Sequence, residues 1–316
     1  MKGMISIVIP VFNEEQNIEP LYKEIVSSLA AVSNSHEIIF VDDGSVDASP
    51  KIIKEIAGRD DRVKGVIFNR NYGQTAAIAA GIDVATGAYI VTMDADLQND
   101  PRDIARLVSK IDEGYGLVSG WRRKRKEPFF SRRLPSLIAN SVISACTGLK
   151  LHDYGCTLKI YKRDYIKNIN LYGEMHRFIP LYVYSMGGKV AEIEVNHRER
   201  KWGASKYGIG RTLKVILDLT TVKFLLGSNS TSPIYFFGGW GIFLMGSGML
   251  CGATSLVQKL IWGLWVHRNP LLLLSVFLFI VGTQVIMMGL LAELSVRIYY
   301  ETTKKSIYQV AEKINY

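Results

Sequence analysis

The stretch EIIFVDDGSVD at 37–47 decides how this 316-residue chain is read. Ile38 to Val41 form an unbroken apolar run that stops at two adjacent carboxylates and a glycine. An unbroken run, rather than an alternating one, marks a strand covered on both faces, as in parallel α/β sheets. The same order recurs outward from it. MISIVIP at 4–10 leads to Asn13 and Glu14, a strand at 63–68 leads to Asn69–Asn71, and AYIVTM at 88–93 leads to Asp94-Ala95-Asp96. Helical spacing fills the intervals: Ile18, Leu21, Ile25 and Leu29 within 14–31, then 46–57, 74–85, and a helix from about 101 to 112 opened by Pro101. A further strand is expected at 115–120. Strands alternating with helices predict a doubly wound parallel sheet. Ligands bind such sheets beyond the carboxyl ends of the strands. One Asp or Asn there is ordinary turn or cap chemistry. Four successive strand ends with two carboxylate pairs point to a site.

Asp94 and Asp96 lie two apart just past a strand, so both side chains can face one side. Close carboxylates repel unless a cation or proton lies between them. A hard divalent ion, Mg²⁺ or Mn²⁺, is the natural partner, and Gln98 adds another oxygen. Such an ion would neutralise charge on a departing diphosphate. Asp42 or Asp43 suits hydrogen bonding to a base or ribose. No GxGxxG follows the first strand and no GxxxxGK[ST] occurs, which argues against a nicotinamide dehydrogenase and a P-loop ATPase. Cys146, Cys156 and Cys251 have no CxxC spacing, which fits a reducing compartment and disfavours a zinc site. MKGMISIVIP enters strand-like sequence directly, so no signal peptide is expected.

The chain is 48% hydrophobic with a formal net charge of +9, and both features are concentrated. Residues 121–133 (WRRKRKEPFFSRR) carry net +6. Near an anionic membrane each cation contributes about 1 kcal/mol, so anionic headgroups or a lipid phosphate suit this cluster. A nucleic-acid reading leaves the acidic strand ends unexplained, and no nucleic-acid partner is expected. Residues 134–147 place Leu134, Leu137, Ile138, Val142 and Ala145 on one helical face, suited to the membrane interface or to a core. In HRERKWGASKY at 197–207, Arg200 and Lys206 could close over a diphosphate, with Gly203 allowing the loop to move.

No Asp, Glu, Lys or Arg occurs between Lys223 and Lys259, a gap of 35 residues, or between Arg268 and Glu293, a gap of 24. About 20 apolar residues cross the hydrocarbon core, so spans are expected near 233–257 and 269–292. Trp262 and Trp265 in the link suit the headgroup level, and Lys206, Arg211, Lys214, Lys223, Arg297, Lys304, Lys305 and Lys313 flank the other side. The positive-inside rule then predicts a multi-pass protein of the cell membrane, with the catalytic domain and both termini cytoplasmic. Gly248 and Gly252 form a small-xxx-small pair suited to close helix packing. The expected division is a catalytic domain at 1–208, including a basic loop and interfacial helix at 121–148, a juxtamembrane amphipathic helix at 209–230, two transmembrane helices at 231–294 and a cytoplasmic tail at 295–316. The hairpin with its packing-competent glycines suits a homo-oligomer, which residues 297–316 could help to form as an exchanged or docking helix.

Taken together, IPVFNEE at 9–15, VDDGSVD at 41–47, NRNYGQTAAIAAG at 69–81, MDADLQNDP at 93–101, GWR at 120–122 and KWGASKYG at 201–208 resemble family 2 glycosyltransferases of the GT-A (Rossmann-like) fold. Within these the chain resembles polyisoprenyl-phosphate glycosyltransferases. That group includes dolichol-phosphate mannosyltransferase and the bactoprenol glucosyltransferases, and the two-span hairpin points to the latter branch rather than to single-span or soluble relatives. The resemblance implies that Pro10, Asn13, Glu14, Asp42 and Asp43 hold the nucleotide, with Gln74 near the base. Asp94, Asp96 and Gln98 would hold metal and diphosphate, with Arg200 and Lys206 also on the donor. Arg122, Arg125, Arg132 and Ser136 would receive the lipid phosphate. Asp153 would stand near the reacting groups, with it and Asp94 as candidate bases. The QxxRW of processive synthases is missing, so one sugar per turnover is expected. The implied reaction is inverting, metal-dependent transfer of glucose from UDP-glucose to a polyisoprenyl phosphate such as undecaprenyl phosphate. Mannose from GDP-mannose is the alternative. A non-catalytic scaffold or flippase component is a reading of a different class, and spans without charges give it no transport path.

Overall fold

The computed structural model describes residues 3–30, 35–123, 144, 147–167, 169, 171, 175–199, 233–263, 265, 269–302 and 308–316. The chain divides into two compact units, Met1–Leu226 with Ser306–Tyr316, and Gly227–Lys305.

In the first unit, β1 (Ile5–Val11), β2 (His36–Asp42), β3 (Val63–Phe68), β4 (Tyr89–Thr92), β5 (Leu117–Trp121), β6 (Lys159–Lys162), β7 (Val190–Glu194) and β8 (Val310–Ile314) form one sheet in the order β7-β5-β6-β4-β1-β2-β3-β8. The helices α1 (Glu15–Leu29), α2 (Ser49–Ala57), α3 (Gln74–Val84) and α4 (Asp103–Ile111) follow the first four strands. The central strands are buried because both faces are covered. Ile5, Ile7 and Ile9 meet Ile18, Leu21, Ile25 and Leu29 of α1 in one core, while Val8, Ile39 and Val41 join Ala77, Ile78 and Ile82 of α3 in the other. Each such side chain contributes about 1.5–3 kcal/mol by burial. On β1 the order reverses, with β2 on one side and β4 on the other. The crevice at that switch point is where such sheets take ligands.

The expectation of an all-parallel sheet is corrected at its margins. β1–β4 pair in parallel, but β6 runs antiparallel between β4 and β5, and β8 runs antiparallel to β3. β7 adds in parallel to β5. The tail, expected as a helix, is helical as far as Thr302 and differs beyond it, since its last described residues include the strand β8. Its alternation leaves Val310 and Ile314 half-buried and the residues between them exposed. Tyr308 stacks on Phe68 with ring centroids 5.1 Å apart, Lys54 pairs with Glu312 at 2.6 Å, and Asn315 Nδ2 donates to the carbonyls of Ala57 (2.8 Å) and Val63 (2.9 Å).

The second unit contains two long helices, Pro233–Trp262 and Pro270–Thr302. Within them Phe237–Trp262 and Pro270–Ser295 are apolar and long enough to span a bilayer. Side chains such as Phe243, Leu250, Leu260 and Leu273 are exposed, which suits hydrocarbon rather than water. Small residues let the helices touch. A Cβ on Gly248 would lie 2.9 Å from the Ser275 carbonyl oxygen, and one on Gly252 would lie 2.9 Å from Ser275 Oγ. The small-xxx-small pair thus packs the hairpin on itself. The expected juxtamembrane helix at 209–230 lies outside the described residues, as does nearly all of the interfacial helix at 134–147.

Candidate active site

The site is built from loops at the carboxyl ends of β1, β2 and β4. Two of these loops brace each other. Ser45 Oγ accepts from the Asn13 amide (2.8 Å), Asn13 Oδ1 accepts from the Val46 amide (2.9 Å), and Ser49 Oγ accepts from the Glu14 amide (3.0 Å). Asn13 has φ 53°, a left-handed conformation that Asn tolerates better than most residues. Pro10, on the central strand β1, pairs opposite Val41. The expected nucleotide residues Pro10, Asn13 and Glu14 therefore share one edge with Asp42.

Asp42 and Asp43 have divided roles. Asp43 Oδ1 accepts from the Tyr72 amide (2.7 Å), and its Oδ2 accepts from the Gly73 amide (2.9 Å) and from Asn71 Nδ2 (3.0 Å). Its carboxylate thus shapes the loop before α3, at the strand end where the sequence also places it toward the nucleotide. Gly44 permits this approach. With φ 70°, its added Cβ would fall 2.3 Å from the Arg70 carbonyl carbon. Asp42 accepts from the Ser45 amide through Oδ2 (3.0 Å), while its buried Oδ1 has no hydrogen-bond partner among the described residues. Burial raises the pKa of both carboxyls. An unmatched buried acceptor is costly, and a base or ribose donor would satisfy it.

At the end of β4, Gln74 Nε2 donates to Asp94 Oδ1 at 2.8 Å and Thr157 Oγ1 donates to Asp94 Oδ2. Each carboxylate oxygen keeps a second lone pair. Asp96 Oδ1 accepts from the Gln98 amide (3.1 Å) around Leu97, whose φ of 61° is unfavourable for a branched side chain. Such strain is characteristic of functional loops. Among the described residues no group of three or more His, Cys, Asp or Glu gathers to hold an ion. The oxygen set of Asp94, Asp96 and Gln98 nonetheless fits a hard cation of the Mg²⁺ type, which takes few carboxylates and fills its shell with water and substrate phosphate.

Across the edge, Arg122 holds Asp153 with both arms, Nε to Oδ2 at 2.8 Å and Nη2 to Oδ1 at 3.1 Å. Asp153 is 1% exposed. Burial opposes the charge on Arg122, and the Asp153 carboxylate outweighs it, raising the guanidinium pKa. Glu192 fixes the backbone of this turn by accepting from the amides of His152 (3.0 Å) and Asp153 (2.9 Å). Trp121 stacks on His152 at 4.2 Å. A Cβ on Gly155 would lie 3.4 Å from Arg122 Nη2 and 4.0 Å from Arg177 Nη1, so both guanidinium groups flank this turn. Arg125, Arg132, Ser136, Arg200 and Lys206 lie outside the described residues.

A strand-end crevice with a paired-carboxylate loop on one side and a buried arginine on the other suits transfer from a nucleoside diphosphate to an anionic acceptor. The model of glycosyl transferase family 2 matches residues 6–169. The chain belongs to glycosyltransferase family 2. Dodecaprenyl-phosphate galacturonate synthase of Rhizobium johnstonii is 42% identical over 312 residues, covering 98% of this chain and 92% of that one. Undecaprenyl-phosphate 4-deoxy-4-formamido-L-arabinose transferase of Proteus mirabilis is 36% identical, covering 98% and 94%. These relatives bear out the resemblance to polyisoprenyl-phosphate glycosyltransferases. Glucosyl-3-phosphoglycerate synthase of Mycobacterium tuberculosis, solved with Mn²⁺, UDP-glucose and phosphoglyceric acid, superposes with a TM-score of 0.54 at 19% identity, covering 73% of this chain and 82% of that one. That likeness speaks for the GT-A fold.

Residues outside the motifs, Thr157, Glu192 and His176, also contact the expected site residues or their neighbours. Thr157 and Glu192 act on Asp94 and Asp153 across long separations, and Thr75 Oγ1 meets His176 Nδ1 at 2.7 Å beside Gln74. No sequence signal marks the residues outside the motifs, because the burial of His176 and half-burial of Glu192 arise only in the fold.

Proposed function

We propose that this glycosyltransferase moves a single sugar from a nucleotide sugar to the phosphate of a polyprenyl lipid at the membrane. The carrying observation is the placement of Asp94, held by Gln74 and Thr157, on the same strand-end edge as the Arg122–Asp153 pair. Asp42 and the braced Asn13–Glu14 loop take the nucleotide. A divalent ion, Mg²⁺ or Mn²⁺, held by Asp94, Asp96 and Gln98, would neutralise charge on the leaving diphosphate. Arg122 takes the acceptor phosphate, with Arg125, Arg132 and Ser136 assigned to the same anion, while Arg200 and Lys206 serve the donor. A phosphate monoester is largely dianionic at neutral pH because its second pKa is near 6. Its oxygen attacks the anomeric carbon directly, and the nucleoside diphosphate departs from the opposite face. Asp153 holds the Arg122 plane in place, so no strong base is required of it.

Membrane attachment follows from the two apolar helices. Both flanks of the hairpin belong to the unit that holds the sheet, with β8 hydrogen-bonded to β3. Chain entering and leaving on one side requires an even number of crossings, which supports two spans with both flanks on the same side, and the flanking lysines and arginines assign that side to the cytoplasm.

UDP-glucose is the donor expected through the resemblance to the bactoprenol glucosyltransferase branch, with GDP-mannose as its alternative. A UDP-hexuronate is the second reading, favoured by the 42% identity to a galacturonate synthase and by Arg177 beside Gly155, where a sugar carboxylate would find a cation. The test is incubation of detergent-solubilised protein with polyprenyl phosphate and radiolabelled UDP-glucose, UDP-galacturonate and GDP-mannose, with and without EDTA. EDTA-sensitive label in the lipid phase from one UDP-sugar is expected. Label from GDP-mannose alone would reverse the nucleotide assignment.

A further inference from the structure

Resting on that reading, we infer that Arg198 is a positioning residue that locks the metal loop, residues 94–101, to α1 and to the segment after β7. Arg198 Nη2 lies 2.7 Å from Asp100 Oδ1, and Nη1 lies 2.6 Å from Glu24 Oε2 on α1. Its backbone is tied to the same loop. The Arg198 amide donates to the Gln98 carbonyl (2.9 Å), Gln98 Nε2 donates to the Arg198 carbonyl (3.5 Å), and Asn99 bridges to His197. The preceding Asn196 extends the contact, donating from Nδ2 to Asp100 Oδ2 (3.0 Å) and from its amide to Asp103 Oδ2 (2.7 Å).

The position of these contacts gives them their consequence. Gln98 is gripped on both its carbonyl and its side chain, and its amide donates to Asp96 Oδ1. Leu97, between the two, sits at φ 61° and 2% exposure, a conformation that persists only where neighbours enforce it. Arg102 also binds Asp100, but it is two residues away, its side chain is 73% exposed, and among the described residues it joins no second element. Arg198, at 26%, spans three, and a guanidinium can serve two carboxylates at once where a lysine offers a single point charge.

The experiment compares full-length wild type, Arg198→Ala, Arg198→Lys and Glu24→Gln in detergent. Mn²⁺ binding in the presence of UDP is followed by electron paramagnetic resonance, alongside donor and acceptor KM. Removing a group that orients a metal ligand typically weakens metal affinity about 10-fold or more. Arg198→Ala is expected to weaken Mn²⁺ binding and raise donor KM to that extent, with acceptor KM within about twofold. Arg198→Lys should lose about threefold or more, and it decides the matter where the alanine variant does not fold. Glu24→Gln removes one arm only and should fall between wild type and Arg198→Lys. Folded Arg198 variants that bind Mn²⁺ with UDP as wild type does would overturn the inference alone. Wild type that binds no Mn²⁺ with UDP would overturn the site reading beneath it, and the inference with it.

Discussion

Arg122 and Asp153 meet in a two-pronged ion pair, Nε to Oδ2 at 2.8 Å and Nη2 to Oδ1 at 3.1 Å, closed off from solvent on the Asp153 side. Breaking a buried pair by removing one partner costs about 3–5 kcal/mol because the other charge is left uncompensated. Asp153→Asn should therefore lower the melting temperature markedly as well as kcat. Arg122→Ala should raise acceptor KM about 10-fold or more while donor KM changes little, since charge-assisted contacts to a phosphate are worth about 1.5–3 kcal/mol each. Steady-state kinetics with both substrates varied checks this. A larger rise in donor KM would refute the acceptor role.

The two adjacent aspartates should separate in mutagenesis. Asp43→Ala frees the amides of Tyr72 and Gly73, which Asp43 now satisfies. The expected loss is about 1–3 kcal/mol of stability, with donor affinity falling as the loop loosens. Asp42→Asn keeps the shape and should weaken UDP binding with little change in melting temperature. Thermal unfolding and UDP calorimetry on both variants check this. Equal melting losses would contradict the division.

Lys159 provides a pH test. It is buried under the Asp153 turn, donates to the carbonyls of Tyr154 (3.2 Å) and Cys156, and burial brings its pKa down to about 8. The unfolded chain holds that proton to about pH 10.4. Between these values the unfolded state binds more protons, so stability rises with pH. Cys156, whose thiol burial pushes up to about 11, acts in the opposite sense but is present in both proteins compared. The stability difference between wild type and Lys159→Met should move toward wild type from about pH 8 to 9.5, by at most about 1.4 kcal/mol per unit. Denaturant melts at several pH values measure it, and a flat difference would contradict the buried-lysine account.

The first half of the sheet was legible because β1 to β4 are short segments rich in apolar, mostly β-branched residues that lead into polar residues, a local signal even though Ser6 interrupts β1 and Lys64 and Gly65 interrupt β3. KIYK of β6, VAEIE of β7 and VAEKI of β8 are short and charged. Their place is set by partners distant in sequence, as when β8 finds β3. The site divides the same way. Asp94, Asp96 and Asp42 announce themselves at strand ends. Thr157 reaches Asp94 from 63 residues away and Glu192 reaches Asp153 from 39, so their roles exist only in the fold. Asp43 looked like Asp42 in sequence and differs because Gly44 lets the loop before α3 close over it.

β8 should also be required for a stable first unit. Ending the chain at residue 307 removes the Tyr308–Phe68 stack and the cover over β3. A loss of about 2 kcal/mol or more is expected from the apolar burial, together with aggregation through the uncovered edge. Lys54→Ala, which breaks an exposed pair with Glu312, should cost about 1 kcal/mol or less. Thermal unfolding with light scattering distinguishes them. A truncated chain as stable as Lys54→Ala would show that β8 contributes little.

The central claim is that Asp94 and Asp96 hold the metal for transfer to a lipid phosphate. The most direct measurement is transfer of radiolabelled sugar to polyprenyl phosphate by wild type and by folded Asp96→Ala, each titrated with Mn²⁺. Wild type is expected to give label in the lipid phase that rises with Mn²⁺ and vanishes with EDTA, while Asp96→Ala gives none at any Mn²⁺ concentration. Near-normal transfer by Asp96→Ala, or wild-type transfer indifferent to EDTA, would contradict the account.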